Sequence, residues 1–407
     1  MRLPSTPDWF GVPPKLARPF LSTPAPTVSS SRSNPRTIGV AGLKSSGSPS
    51  RSTGNSRKRH LTPTSPRPRS GWSATGSVST VRHTPARCFV LLDEGGAMRA
   101  KRIFLSGASG SMGQAITRAL VATGHGVLGA VRNIDGERAV AGLGAEPVMV
   151  NLFDTAALTR AVSGCDVVAH FATAIPTGVH AVRVSTWAQN DRLRREATAA
   201  LLSAATAAAV PRCLFESISL AYPDRGYEWI DERVELDPVS PVMRSALDAE
   251  RHMDRFAARG GEAVVLRFGR LYGPGRASAA AVTALRLRQL PRIGRGDNFV
   301  SSVHVDDVGT AVAASLSAPP GTYNVVDETP LSQRRLLEIM SGSQGAPRPR
   351  ALPAPVARLL LGHAARVLTV SHRVSNRRFV QATGWRPRFA SAVEGWNAMG
   401  PPWASAA

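Results

Sequence analysis

Three glycines spaced three residues apart, Gly107, Gly110 and Gly113, lie between the apolar run Ile103-Phe104-Leu105 and a stretch whose apolar residues recur at helical spacing, Met112, Ala115, Ile116, Ala119 and Leu120. This order predicts a buried strand, a tight turn and a helix. It suits one chemistry well: a diphosphate rests on the free N–H groups at a helix start, where the helix dipole also favours negative charge. Side chains at Gly107 or Gly110 would hold that backbone away, and a Cβ at Gly113 would push helix from strand. In this context the triple reads as a dinucleotide site. The second apolar strand, Gly126–Val131, ends in Arg132 and Asn133, and no acid follows until Asp135. An acid there would take the ribose hydroxyls of NAD; an arginine suits the 2′-phosphate of NADP, so NADP is expected, with NAD as the alternative.

Groups able to move a proton are few. The stretch Glu216-Ser-Ile-Ser-Leu-Ala-Tyr-Pro223 leaves a predicted strand with Ser217, Ser219 and Tyr222 close together. Tyr222 is the candidate acid and Ser217 or Ser219 the group steadying a substrate oxygen. With no lysine beside it, a tyrosine titrates near ~10, which makes a poor base but a usable donor at neutral pH. The competing reading makes Tyr222 a packing residue. His170, at the end of the strand Asp166–Phe171, reads as a hydrogen-bonded core residue. Asp231 and Glu232 read as solvated flap residues, and Glu216 and Asp248 have no evident partner.

Strands expected at 103–105, 126–131, 146–150, 166–171, 212–217, 263–268 and 323–326 alternate with helical stretches, including a long one from Trp187 to Ala209. That alternation is the pattern of an α/β fold, a doubly wound parallel sheet with its ligand at the strand carboxyl ends. The expected division is a Rossmann-like domain over 98–270 and a smaller C-terminal substrate lobe over 271–407, with 301–326 returning to the core.

The chain has 407 residues and a net charge of +22, with 50 Lys+Arg against 28 Asp+Glu. Only four of the basic residues are lysine (Lys15, Lys44, Lys58 and Lys101), a skew that reflects codon composition as much as function. No basic helix with interleaved aromatics argues for nucleic acid. The three cysteines have no metal-ligand spacing and suit a reducing, cytoplasmic setting. No apolar run reaches the ~20 residues of a membrane span. Residues 1–97 are rich in Ser, Pro and Arg without periodicity, a composition expected to be disordered. The purine-rich coding that Asp93-Glu-Gly-Gly-Ala-Met98 requires resembles a translated ribosome-binding site, so Met98 is the expected start.

Ser106-Gly-Ala-Ser-Gly-Ser-Met-Gly113, Asp166-Val-Val-Ala-His-Phe-Ala172, Leu266-Arg-Phe-Gly-Arg-Leu-Tyr-Gly-Pro-Gly275, Val303-His-Val-Asp-Asp-Val308 and Gly321-Thr-Tyr-Asn-Val-Val326 together resemble the extended short-chain dehydrogenase/reductases, the NAD-dependent epimerase/dehydratase group. The resemblance runs from about Lys101 to Trp396. It implies cofactor contacts from Gly107, Ser109, Gly110, Ser111, Met112 and Gly113, from Arg132, from Asn151 and Leu152, and from Phe171, Ala172 and Thr173. It also implies that Asp306 and Asp307 brace the junction of the two lobes, and homodimers are common in the group. Members carry a serine near the end of the fifth strand and a Tyr-x-x-x-Lys on the next helix. Here those positions fall on Ile218, Val242 and Ala246, and no lysine follows Lys101. Two functions therefore stand: an NAD(P)-dependent oxidoreductase or epimerase-like enzyme with a rearranged donor, acting on a small carbonyl or sugar-like substrate, or an NADP-binding sensor or scaffold without turnover.

Overall fold

A computed structural model describes residues 99–400. The extension 1–97 and the proposed start at Met98 lie outside these residues.

Seven strands form one parallel sheet: β1 (Arg102–Ser106), β2 (Gly126–Val131), β3 (Glu146–Met149), β4 (Val167–His170), β5 (Arg212–Ile218), β6 (Glu262–Phe268) and β7 (Gly321–Val325). Their order is β7-β6-β5-β4-β1-β2-β3, so the winding reverses between β1 and β4. A crevice opens outside the carboxyl ends at such a reversal, and ligands of doubly wound sheets bind there. The register pairs Ser106 with Ala130 on one side and with His170 on the other, so the three strands around the crevice end nearly level.

Both sheet faces are covered, which is why the strands read as unbroken apolar runs. Ile103 and Leu105 turn to one face, where they meet α1 (Ser111–Ala122) and α8 (Val305–Ser315); Phe104 turns to the other. There it meets α3 (Thr155–Val162), α5 (Thr198–Ala207) and α6 (Arg244–Ala257). The short α2 (Ile134–Ala141) follows β2 and is capped by Asn133, whose side chain accepts the Gly136 N–H. Where α1 crosses α8 the backbones nearly touch: a Cβ at Gly309 would stand 2.5 Å from the Ala115 carbonyl oxygen.

The long helix expected over Trp187–Ala209 is broken in the structure. It runs as α4 (Ala188–Arg192), a π-turn over Leu193–Ala197, and α5. The wide turn brings the Leu193 carbonyl to 3.3 Å from His170 Nε2.

The C-terminal elements add small parallel ladders separate from the main sheet. The strand Arg270–Tyr272 pairs with Ser302–His304, and Trp229–Ile230 pairs with Arg373–Val374. Helix α7 (Arg276–Arg286) follows the first of these. Asp307 accepts the N–H groups of Arg388 and Phe389 at 2.7 and 3.3 Å, joining α8 to the C-terminal segment. Asp306 lies 3.8 Å from Arg118 on α1. Among the described residues, no helix is long and apolar enough to cross a membrane.

Candidate functional site

The glycine turn closes directly against the exit of β4. Gly107 has φ +80°, the left-handed region that glycine alone enters without strain. A Cβ there would lie 2.7 Å from the Phe171 carbonyl oxygen and 2.8 Å from the Ala172 backbone. A Cβ at Gly113 would overlap the Gly107 carbonyl, so helix and turn approach as closely as the sequence pattern requires. The Gly110 N–H donates to the Gly107 carbonyl at 3.0 Å, and Gly110 caps α1 without any side-chain oxygen. The first turn of α1 holds no acidic residue. Ser109, Gly110 and Ser111 are exposed and Met112 is half-buried. A helix start with unused N–H groups, small residues and no competing carboxylate fits a dinucleotide diphosphate.

The other candidate contacts border the same edge. Arg132 is exposed at the end of β2 and has no hydrogen-bond or ion-pair partner among the described residues. Asn151 is exposed, its side chain accepting the Phe153 N–H at 3.1 Å, and Leu152 is half-buried beside it. Phe171 is buried and its N–H donates to Ser106 Oγ at 3.2 Å; Ala172 and Thr173 follow, half-buried.

The proton-relay positions are another matter. Ile218, Val242 and Ala246 come together with Ala221 and Met243 in one buried apolar cluster. The three positions assigned by the resemblance thus do converge, as a buried hydrocarbon cluster whose members carry no titratable group.

Tyr222, expected as the acid, is 0 % exposed. Its ring packs with Ile230, Val326 and Val374. Its hydroxyl accepts from Arg267 Nη1 at 2.8 Å and donates to Asn324 Oδ1 at 2.9 Å. Burial pushes the phenol up to about 12, outweighing the opposing pull of Arg267. Ser217, also fully buried, donates to Glu250 Oε1. Glu250 is in turn gripped by Arg267 through Nη2 at 2.6 Å and Nε at 3.0 Å. Ser217, Glu250, Arg267, Tyr222 and Asn324 therefore form one buried brace tying β5, α6, β6 and β7. Tyr222 and Ser217, expected as chemical groups, are held in this brace, the Tyr222 hydroxyl by Arg267 and Asn324 and the Ser217 hydroxyl by Glu250.

His170 is a core residue as expected. The Ser106 hydroxyl donates to Nδ1 at 2.6 Å and Nε2–H donates to the Leu193 carbonyl, which defines the neutral tautomer. Burial lowers its pKa to about 4. Glu216 and Asp248, read as partnerless, are paired: Glu216 with the buried Arg194 at 3.1 Å, Asp248 with Arg195 at 2.7 Å. Glu232, read as solvated, accepts the Asn324 N–H at 2.7 Å.

A doubly wound sheet, a bare glycine-turned helix start at the winding reversal and a crevice between them define a dinucleotide-binding oxidoreductase of the Rossmann type. Residues 103–325 match the NAD dependent epimerase/dehydratase family. The chain belongs to that family and is an NAD(P)-dependent enzyme. It is similar to the 3-diazoavenalumate denitrifying reductase of a Streptomyces species, 37% identical over 305 residues, covering 72% of this chain and 98% of the relative. It is also similar to a 4-hydroxy-2-methyl-3-oxo-4-farnesyl-3,4-dihydroquinoline-1-oxide ketoreductase of Stigmatella aurantiaca, 27% identical over 60% of this chain and 73% of that one. Among solved structures, the dTDP-glucose 4,6-dehydratase of Streptomyces venezuelae with NAD bound has the same fold, with a TM-score of 0.61 at 21% identity over 73% of this chain and 95% of that one.

Proposed function

We propose that this chain is an NADPH-dependent reductase whose substrate takes up hydride without needing a proton, the substrate class being an aryl diazonium acid. One observation carries the reading: where a proton relay would stand, Ile218, Val242 and Ala246 make a buried apolar cluster. The similarity to a reductase named for a diazo substrate, extending over 98% of that protein, points the same way. When bound, the nicotinamide supplies a hydride. At a carbonyl, hydride arrival leaves an alkoxide that a positioned acid must quench, and such an acid contributes a large share of the rate. At a diazonium carbon the charge is already positive. A C–H bond forms with the hydride pair, the C–N bond breaks with its pair leaving on dinitrogen, and no proton is consumed or released.

The chain's own residues then have three tasks. The turn Gly107–Gly113 holds the diphosphate, with Asn151, Leu152, Phe171, Ala172 and Thr173 bordering the rest of the dinucleotide. The Ile218–Val242–Ala246 surface keeps water from the reacting carbon, where water would give the phenol instead. Arg132 selects NADPH by pairing with its 2′-phosphate. Arg132→Ala is expected to weaken NADPH binding about 10- to 100-fold, the worth of a charge-assisted hydrogen bond of ~1.5–3 kcal/mol, and to leave NADH binding unchanged. Titration calorimetry with both nucleotides checks this, and equal losses would remove the NADP assignment. The reductase reading itself is tested by mixing the protein with NADPH and a carboxyarenediazonium salt. One dinitrogen and one arene should appear per NADPH oxidised; NADPH consumed with ketones but not with the diazonium salt would refute it.

A further inference from the structure

The geometry points to Arg270 as the anchor for a carboxylate, held in an apolar cavity at the carboxyl edge of the sheet. This deepens the reductase reading by fixing the charge of the substrate, and it rests on that reading only for the identity of what the carboxylate is attached to.

The cavity measures about 260 Å³ and is walled mainly by Leu271, Tyr272, Leu336, Leu337, Met340 and Trp396. Its place suits a substrate. Arg270 lies two residues beyond the end of β6, on the side where the crevice opens. Ala277 and Ser278, which also line it, stand just past Gly275, and a Cβ at Gly275 would lie 2.7 Å from Ser111 Oγ at the start of α1. The cavity and the diphosphate cradle are therefore neighbours.

Arg270 is the one cation in that lining. Among the described residues its guanidinium has neither an ion-pair partner nor a hydrogen bond; its backbone N–H donates to the Ser301 carbonyl. Burial pulls it below the ordinary arginine value with nothing to offset the effect. Two of the other polar lining groups are occupied. Gln333 donates to the Leu368 carbonyl and accepts the Ile293 N–H, and Ser278 accepts the Gly273 N–H. Asp327 reaches the Ser302 N–H rather than Arg270, and burial raises its pKa well above the usual carboxylate range. A second donor is idle too: the indole N–H of Trp396, a residue 2 % exposed, has no partner.

Arg270 is half-buried in this hydrocarbon lining with no counterion, a setting in which proteins normally pair a cation. Here the pairing group comes with the ligand. One forked guanidinium in hydrocarbon walls matches a single carboxylate on an apolar or aromatic body, two parallel N–H···O bonds fixing its orientation. A diphosphate or nucleotide sugar would bring two charges and a polar body to walls that offer one cation.

The experiment is titration calorimetry on the full chain loaded with NADPH, using 2-naphthoate, 2-naphthamide and 2-naphthyl phosphate. Naphthoate is expected to bind about 10-fold or more tightly than the amide, and Arg270→Met to erase that difference. Arg270→Lys keeps the charge without the fork and should fall between. Thermal melting supplies the second readout. Removing an unpaired, half-buried charge should leave the melting temperature of Arg270→Met equal to or above wild type, whereas a structural arginine would lower it. Equal binding of acid and amide, tighter binding of the phosphate, or a melting temperature that drops with Arg270→Met would each overturn the assignment. None of these measurements involves turnover, so a protein that binds naphthoate through Arg270 yet leaves diazonium salts untouched would sink the reductase reading alone.

Discussion

The enzyme is expected to reduce a carboxyarenediazonium salt with kcat/KM about 10²- to 10⁴-fold above that for the matching aryl ketone, the range that a positioned general acid contributes and the proposed mechanism does without. NADPH deuterated at C4 should slow the reaction, while D₂O should not, because no proton moves in the step. The same argument sets the behaviour of Tyr222→Phe. Its hydroxyl sits between Arg267 and Asn324 in the core, so kcat should survive the change while unfolding free energy falls by ~1–3 kcal/mol, as befits a buried hydrogen bond to a charged group. A Tyr222→Phe protein that remains folded but loses turnover would return the tyrosine to the chemistry and withdraw the proton-free mechanism.

Arg267→Met should be among the most damaging single changes in the sheet, lowering unfolding free energy by ~3–5 kcal/mol in urea titrations. Glu250 and Arg267 are both nearly buried, with side chains 11 % and 10 % exposed, and their contact is 2.6 Å. Removing the arginine strands the Glu250 carboxylate and frees the Tyr222 hydroxyl on one side. Replacing both partners, Glu250→Met with Arg267→Met, should recover part of the loss, because a hydrocarbon pair carries no desolvation penalty. A single-variant loss under ~1 kcal/mol, the level of an exposed pair, would show that solvent reaches the brace.

Much of the nucleotide half was legible because its signals are local. The Gly107–Gly113 spacing, the run Ile103–Leu105 and the alternation of strands with helices all act within a few residues, and the seven strands fall within a few positions of expectation. Val242 and Ala246 were readable for the same reason: positions four apart share one face of a helix turn. The brace was not. Ser217 reaches Glu250 across 33 positions, Arg267 reaches Tyr222 across 45, and Tyr222 reaches Asn324 across 102, and no pattern along the chain reports such pairings. Tyr222 therefore looked like a spare hydroxyl near a strand end, and Glu216 like a spare carboxylate, until the fold supplied Arg194. The π-turn at Leu193–Ala197 was hidden by its own economy: one extra residue in a helical turn barely disturbs the apolar period of an alanine-rich run. Arg270 was hidden inside a motif, Leu266–Gly275, whose glycines and tyrosine drew the reading toward architecture.

The bare crossing of α1 over α8 sets a limit on how this molecule can drift. With Gly309 facing the Ala115 carbonyl across 2.5 Å from any added Cβ, even alanine acts as a wedge driven under the middle of α1. That helix would pivot like a seesaw, and its raised end is the one that cradles the diphosphate. A residue touching no ligand thereby holds a veto over nucleotide affinity.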